Sequence, residues 1–133
     1  NIIHNSQKIS IATDIGHMTS NIAHKLEDSI FVLLESNYDP DVLKYSRYPY
    51  LLKQRIAGPN GHLANIDAGK TISFLMNSGL KEVMLGHLSK ENNFPELAYK
   101  TVVNELIENK MDCDKIKIKV ANRSFPSELI KVG

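Results

Sequence analysis

The residues best suited to chemistry in this sequence are carboxylates and histidines that follow apolar segments. Asp14 and Glu35 each close a short apolar segment, and His87 follows a third such segment after a single glycine. His62 lies in a glycine- and proline-rich loop between the second and third of these segments. Carboxylate and imidazole groups are ligands for zinc, manganese and iron in proteins. If the fold brings these side chains together, they can form a divalent-metal site.

Each of these residues also has a structural interpretation. Asp14 stands shortly before a glycine, where aspartate commonly stabilises a turn. His87 can be a structural histidine, and Glu35 can be a buried, hydrogen-bonded carboxylate that holds a loop. Two protein ligands do not make a tight zinc site. The spacing alone therefore leaves both interpretations open.

The apolar pattern predicts alternating strands and helices that position these side chains. Strands are predicted at residues 8–13, 30–34, 82–85 and 116–120, with an edge strand at 128–132, and residues 2–3 resemble the middle of a strand. Helices are predicted at residues 22–26, 40–43, 49–56, 65–77 and 95–107. This order predicts an α/β fold with right-handed crossovers and a mainly parallel sheet. Ligands of such sheets bind beyond the carboxyl ends of the strands, where Asp14, Glu35 and His87 lie.

Length and composition predict one soluble domain over residues 1–133. The chain is 42% hydrophobic and 23% charged, and its net charge is +1. That charge excludes a strongly basic nucleic-acid surface, so a nucleic acid would be held by local geometry and metal. No apolar run reaches the ~18 residues of a membrane span, and no signal-peptide pattern is present. With Cys113 as the single cysteine, these features predict a cytoplasmic protein.

Four motifs give the sequence a specific resemblance. They are ATDIGHMT at residues 12–19, LLESNYDPDVL at 33–43, YPYLLKQRIAGPNGHLAN at 48–65 and LGHLSKENNFPELA at 85–98. In this order and spacing, they resemble the metallo-β-lactamase-fold hydrolases, and within them the YycJ/WalJ branch of exonuclease-like proteins. The resemblance implies the C-terminal part of an αββα sandwich with flanking helices.

The resemblance assigns metal ligands. The family builds a two-metal site from an HxHxDH motif, a later histidine, an aspartate after a strand and a final histidine. Asp14 matches the aspartate that bridges both metals, and His87 matches the final histidine. The HxHxDH motif and the middle histidine are absent from this chain. We therefore expect two divalent ions, zinc or manganese, in a full-length parent, and weak or no metal binding and no catalysis by this chain alone.

The resemblance also implies a reaction and substrate contacts. The parent is expected to hydrolyse DNA phosphodiesters, as a 5′→3′ exonuclease in the sharpest form of this hypothesis. His62 is the remaining candidate catalytic residue; it would either contact substrate phosphate, together with Ser89 and Asn92, or pair with a metal ligand. Ser89 and Asn92 could equally cap the helix that begins at Pro95. Ala64 departs from the serine usual in the family's GHLSN motif.

Two competing functions stay open. The same superfamily also hydrolyses RNA, thioesters and lactams, and a fold does not fix a substrate. Alternatively, the chain could be a non-catalytic interaction module that forms a homodimer through the sheet face that a missing half would cover.

Overall fold

The computed structural model describes residues 1–133 and contains one five-stranded sheet. Its strands are β1 (Ile2–His4), β2 (Gln7–Ala12), β3 (Ser29–Glu35), β4 (Glu82–Gly86) and β5 (Lys117–Val120). They lie side by side in chain order, with β2 to β5 parallel and β1 antiparallel to β2. The predicted α/β class and mainly parallel sheet are confirmed.

Five helices connect the strands, and each was predicted. They are α1 (Ser20–Leu26), α2 (Pro40–Tyr45), α3 (Tyr50–Ala57), α4 (Asn65–Met76) and α5 (Pro95–Glu108). The first two begin at side-chain caps: Thr19 accepts a hydrogen bond from the Ile22 amide, and Asp39 accepts from Val42. A short 3₁₀ helix (Cys113–Lys115) was not predicted. No helix combines the length and apolar character needed to cross a membrane.

The strand prediction is confirmed at the N-terminal end of the chain and wrong at the C-terminal end. Residues 2–3 do belong to a strand, which forms a hairpin with β2 through Asn5 and Ser6 at φ 47° and 62°. The predicted edge strand at 128–132 is wrong, because residues 121–133 form no regular structure. The side-chain oxygen of Asn122 accepts hydrogen bonds from the Ser124 and Phe125 amides, and they form a turn shortly after β5.

The core fills the space between one face of the sheet and the helices. Val32 and Leu34 of β3 are fully buried there, as are Val83 and Leu85 of β4. They pack in one cluster with apolar residues of α4 and α5, including Ile72, Val102 and Leu106. Strands in chain order with crossovers of one hand place every connecting helix on the same face. Helices therefore cover the sheet on one side only.

The opposite side of the sheet, which we call the open face, carries apolar side chains on β2 to β4 and an ion-paired group toward β5; these are Ile9, Ile11, Phe31, Leu33 and Met84, followed by Glu82, Lys117 and Lys119. The register places Ile11 beside Leu33 and Leu33 beside Met84. Ile11 is 60% exposed, whereas Met84 is 8% exposed. The C-terminal segment lies near the Met84 end, where Ile130 lines a small cavity together with Met84. The open face is thus free of helices, apolar on β2 and β3 and charged toward β5, and Ile11 is the one exposed side chain among its five apolar residues.

Candidate metal and substrate site

Four potential metal-binding side chains meet at the carboxyl edge of the sheet. They belong to Asp14, Glu35, His62 and His87, and one ligand atom from each lies within 4.8 Å of all the others. Asp14 follows β2, Glu35 ends β3, and His87 follows β4. The strands pair in parallel, with Glu35 beside Gly86, so consecutive loops deliver these groups to one point. The structure brings together the residues that the sequence placed at strand ends.

The loop that carries His62 is held against the end of β3. Tyr38 and Ala64 form an isolated parallel bridge beyond that strand. The Asn37 amide donates to the Leu63 carbonyl at 2.8 Å, and the Asn65 amide donates to the Tyr38 carbonyl at 2.9 Å. This short backbone ladder extends the sheet by one segment and places His62 beside Glu35.

Two glycines allow the loops of the site to approach closely. A Cβ atom on Gly16 would lie 2.0 Å from the Pro59 carbonyl oxygen, and one on Gly61 would lie 2.1 Å from the Ile56 carbonyl oxygen. Both distances are far inside van der Waals contact. The loop after Asp14 and the loop before His62 therefore pack backbone to backbone.

Glu35 organises both imidazoles. Its side chain is fully buried, and its Oε1 lies 2.7 Å from Nδ1 of His62 and 2.7 Å from Nδ1 of His87. Its Oε2 accepts a hydrogen bond from the Ile15 amide at 2.8 Å. An ionised carboxylate only accepts hydrogen bonds, so both histidines donate from Nδ1. Their Nε2 atoms remain available for a metal or a substrate.

Asp14 completes the cluster from its solvent side. Its Oδ1 lies 3.9 Å from Nδ1 of His62 and 3.9 Å from Nδ1 of His87, and its side chain is 70% exposed. The two imidazole rings meet edge to face, with centroids 5.1 Å apart. The cluster is thus anchored by the buried Glu35 carboxylate and opens to solvent at Asp14.

Asp14 and His87 both adopt left-handed backbone conformations, with φ of 57° and 56°. Such conformations are uncommon for residues other than glycine, and they concentrate at functional sites. The His87 carbonyl accepts a hydrogen bond from the Asn37 side chain at 2.6 Å, which fixes that turn. The backbone therefore holds both residues in orientations that an ordinary strand end does not provide.

A buried amide network supports these loops from behind. Asn65 and Asn93 exchange side-chain hydrogen bonds at 3.0 and 2.9 Å, and Ser36 donates to Asn65 at 2.6 Å. Asn93 also donates to the Ser36 and Asn37 carbonyls. This network was not predicted from the sequence. Its trace in the sequence is the set of asparagines within the ESN, LAN and ENN segments.

A cavity of about 560 Å³ opens above the cluster. Its lining residues include Asp14, His62, His87 and Ser89, together with Arg55 of α3. Asn92 is fully buried outside this lining, and its amide donates to Ser89 Oγ at 3.1 Å. Lys53 points elsewhere, because its Nζ donates to the Lys44 carbonyl at 2.7 Å. Of the two predicted phosphate contacts after β4, Ser89 alone reaches the cavity.

Tyr38 lies beside this site and has a shifted pKa. Burial raises the pKa of its phenol, and the negative charge of Asp67 raises it further. The phenol therefore stays protonated and neutral while it packs with Leu43 and Ala64 under the ladder that carries His62.

The donor set fits a divalent metal ion. Glu35 Oε1 is engaged by both imidazoles, so the ligand groups that this hydrogen bonding leaves to the cluster are the Asp14 carboxylate and the two imidazole rings. One carboxylate and two imidazoles suit zinc, manganese or iron better than magnesium or calcium. Buried partners that orient metal-binding histidines are a common feature of such centres, and Glu35 stands in that position.

The chain is similar to proteins named as exodeoxyribonucleases. It is 40% identical over 96 residues to exodeoxyribonuclease WalJ of Streptococcus pneumoniae, a match covering 72% of this chain and 36% of that protein. It is 32% identical over 106 residues to exodeoxyribonuclease YycJ of Bacillus anthracis, covering 80% of this chain and 40% of that protein. The chain spans about two fifths of the length of these relatives. No family model and no solved structure matches it.

These matches confirm the resemblance predicted from the motifs. Most of this chain is homologous to a portion of each of these proteins, which are named as exodeoxyribonucleases. In particular, the homology lies with the WalJ and YycJ branch.

Proposed function

We propose that this chain is the C-terminal portion of a metal-dependent phosphodiester hydrolase that degrades DNA. In this proposal the parent has the metallo-β-lactamase αββα fold, carries two divalent ions, acts as a 5′→3′ exonuclease and works in the cytoplasm. The relatives' names supply the DNA substrate. The observation that carries the proposal is the cluster of Asp14, Glu35, His62 and His87 at the mouth of a cavity.

Each residue of the cluster has a proposed role. Asp14 and His87 hold the metal, and His62 binds the scissile phosphate through its free Nε2. Glu35 fixes both imidazoles, Ser89 donates to phosphate from the cavity wall, and the buried Asn92 holds Ser89. A bound divalent ion would polarise the phosphodiester and supply a hydroxide nucleophile near neutral pH.

The open face supports the proposal that the chain is one part of a larger fold. A sheet that has helices on one face and apolar side chains on the other is what remains when the second sheet of a sandwich is removed. The missing sheet would carry the other metal ligands. This chain by itself would then hold metal weakly and would not cleave DNA.

Titration with manganese or zinc tests the metal site. The chain should bind the ion weakly but measurably by calorimetry, and Asp14→Ala should abolish that binding. Asp28→Ala is the matched control, because Asp28 is also exposed and left-handed, at φ 60°, yet lies outside the cluster. Similar metal binding by both variants would refute Asp14 as a ligand.

The reaction is tested in a full-length protein that contains this segment. That protein should degrade labelled DNA only with a divalent ion, and Asp14→Ala or His87→Ala should reduce the rate by several orders of magnitude. The matched control for His87 is His24→Ala, an exposed histidine on α1. Undiminished DNA degradation by the Asp14 variant, or activity in chelator, would contradict the proposed mechanism.

A second candidate function rests on the open face. An exposed apolar sheet can pair two copies of this chain, as in a non-catalytic interaction module. This alternative predicts self-association without any metal dependence. It would be favoured if the full-length protein neither bound metal nor cleaved DNA.

A further inference from the structure

A basic and aromatic segment borders the cavity of the candidate site. We call residues 44–55, from the end of α2 through α3, the basic lip. It carries four cations, at Lys44, Arg47, Lys53 and Arg55, and no acidic residue occurs anywhere from 42 to 66. The whole chain has a net charge of +1, so this concentration of positive charge is local.

The basic lip also exposes large planar and apolar side chains. Tyr45 is 79% exposed, Tyr50 is 72% exposed and Leu51 is 77% exposed. Helix α3 contains no fully buried residue. A helix that contributes so little to the core can retain such side chains for contact with a partner.

The basic lip is continuous with the candidate site. Tyr48, Leu52 and Arg55 line the same cavity as His62 and His87. On the other side of α3, Lys44, Tyr50 and Lys53 line a second cavity of about 410 Å³. A flexible polymeric ligand that extends from the candidate metal centre would therefore cross α3 and pass both cavities, each of which is lined by at least one cationic side chain and at least one tyrosine.

We propose that the basic lip binds the single-stranded part of a DNA substrate and leads its end to the Asp14–His87 centre. This inference rests on the proposed function. Cations that follow a sugar–phosphate backbone, with aromatic rings on which bases stack, are the recurring way in which proteins bind single strands without sequence preference. The absence of carboxylates from residues 42–66 gives the charge complementarity, and the exposed tyrosines give the stacking surfaces.

The experiment measures binding without catalysis. A fluorescein-labelled oligothymidine of about twelve nucleotides is titrated with this chain in EDTA at low salt, and anisotropy reports binding. The test variant combines Tyr50→Ala with Arg55→Ala. The control combines Tyr99→Ala with Lys100→Ala, which likewise removes one exposed phenol and one exposed cation, but from α5. Thermal melting of each variant verifies that it is folded.

The test variant should bind about tenfold more weakly or worse, because stacking and phosphate contacts are both lost, while the control binds like the parent. The slope of the logarithm of the binding constant against the logarithm of the salt concentration should become shallower by roughly 0.7, because the proposed phosphate contact of Arg55 is lost. Arg47→Ala provides a second variant outside any helix, with the same expected change in salt dependence.

Three results would overturn the inference. They are equal weakening by the test and control pairs, unchanged binding by the test pair, and binding to phosphatidylserine vesicles but not to the oligonucleotide. The measurement separates this inference from the proposed function. Lip-dependent DNA binding together with DNA cleavage by the full-length protein in chelator defeats the metal mechanism alone, whereas metal-dependent cleavage together with lip-independent DNA binding defeats this inference alone.

Discussion

At the scale of single residues, the buried carboxylate of Glu35 is the centre of the candidate site. One of its oxygens accepts from two imidazoles and the other accepts from the Ile15 amide. Both carboxylate oxygens therefore satisfy donors of the protein itself, and a buried donor left without an acceptor would cost free energy. The arrangement means that the ring orientation of His62 and His87 is set by the chain itself.

Replacing Glu35 with glutamine should release both imidazoles. The glutamine amide has the same shape, but one of its terminal atoms becomes a donor and conflicts with either the imidazoles or the Ile15 amide. We expect Glu35→Gln to lower the free energy of unfolding by about 1–3 kcal/mol. Nitrogen NMR spectra of the histidine rings should show His62 and His87 leaving the Nδ1–H tautomer.

The control for this change is Glu27→Gln. Glu27 contacts Nδ1 of His24 at the same distance of 2.7 Å, but that pair is exposed to solvent. Exposed pairs of this kind contribute little to stability. Equal effects of the two substitutions would mean that Glu35 is an ordinary hydrogen-bond partner rather than the support of the site.

The sequence allowed part of the residue-scale picture to be predicted. Asp14, Glu35 and His87 could be placed together because each follows an apolar segment, and parallel strands end at one edge. The approach of His62 depended on the ladder between Tyr38 and Ala64, which has no periodic pattern. The left-handed backbone of His87 also left no trace in the sequence, because histidine has no strong preference for that conformation.

At the scale of elements, the site depends on two loops that touch through glycine. Gly16 follows β2 and faces the Pro59 carbonyl in the loop after α3. We expect Gly16→Ala to force these loops apart, to lower stability by about 1–3 kcal/mol, and to weaken metal binding by moving Asp14. Thermal melting and metal titration would measure the two effects.

Thr13→Ala is the control for the glycine substitution. Thr13 lies in the same loop and is exposed, so its truncation creates no clash. If Gly16→Ala melted and bound metal like Thr13→Ala, the two loops would not be in backbone contact in solution.

The elements themselves were largely predictable, for local reasons. Side-chain caps at Thr19 and Asp39 and proline at the starts of α2 and α5 mark helix boundaries in the sequence itself. The prediction of a strand at residues 128–132 failed because an alternating pattern does not show whether a segment hydrogen-bonds to the edge strand of a sheet. The Asn122 turn decides that question through its hydrogen bonds, not through hydrophobicity.

At the scale of the whole molecule, helices cover the sheet on one side only. The open face should make this chain self-associate or bind a hydrophobic dye. Ile11→Lys should reduce both effects without lowering the melting temperature, because Ile11 is already 60% exposed. Sedimentation velocity and dye fluorescence would test this expectation.

In a longer protein that contains this segment, Ile11→Lys should instead lower the melting temperature. There the open face would be covered, and a buried lysine would destabilise the fold. Ile107→Lys serves as the control in both settings, because Ile107 is also 60% exposed but lies on α5. Equal effects of the two substitutions in the longer protein would show that the open face is not an internal interface.

The strict chain order of the strands has a further consequence for how this protein folds. Every strand pairs with its neighbour in strand order, but the parallel pairs join segments that are separated along the chain by whole helices. Pairing of this kind is slow, because the entropy of loop closure is lost before the contacts form. The hydrogen bond between Glu35 and His87 closes only when β4 docks beside β3 after three intervening helices. Histidine tautomers in the cluster can thus serve as a late marker of folding, one that forms after the local helices and reports that the sheet is complete.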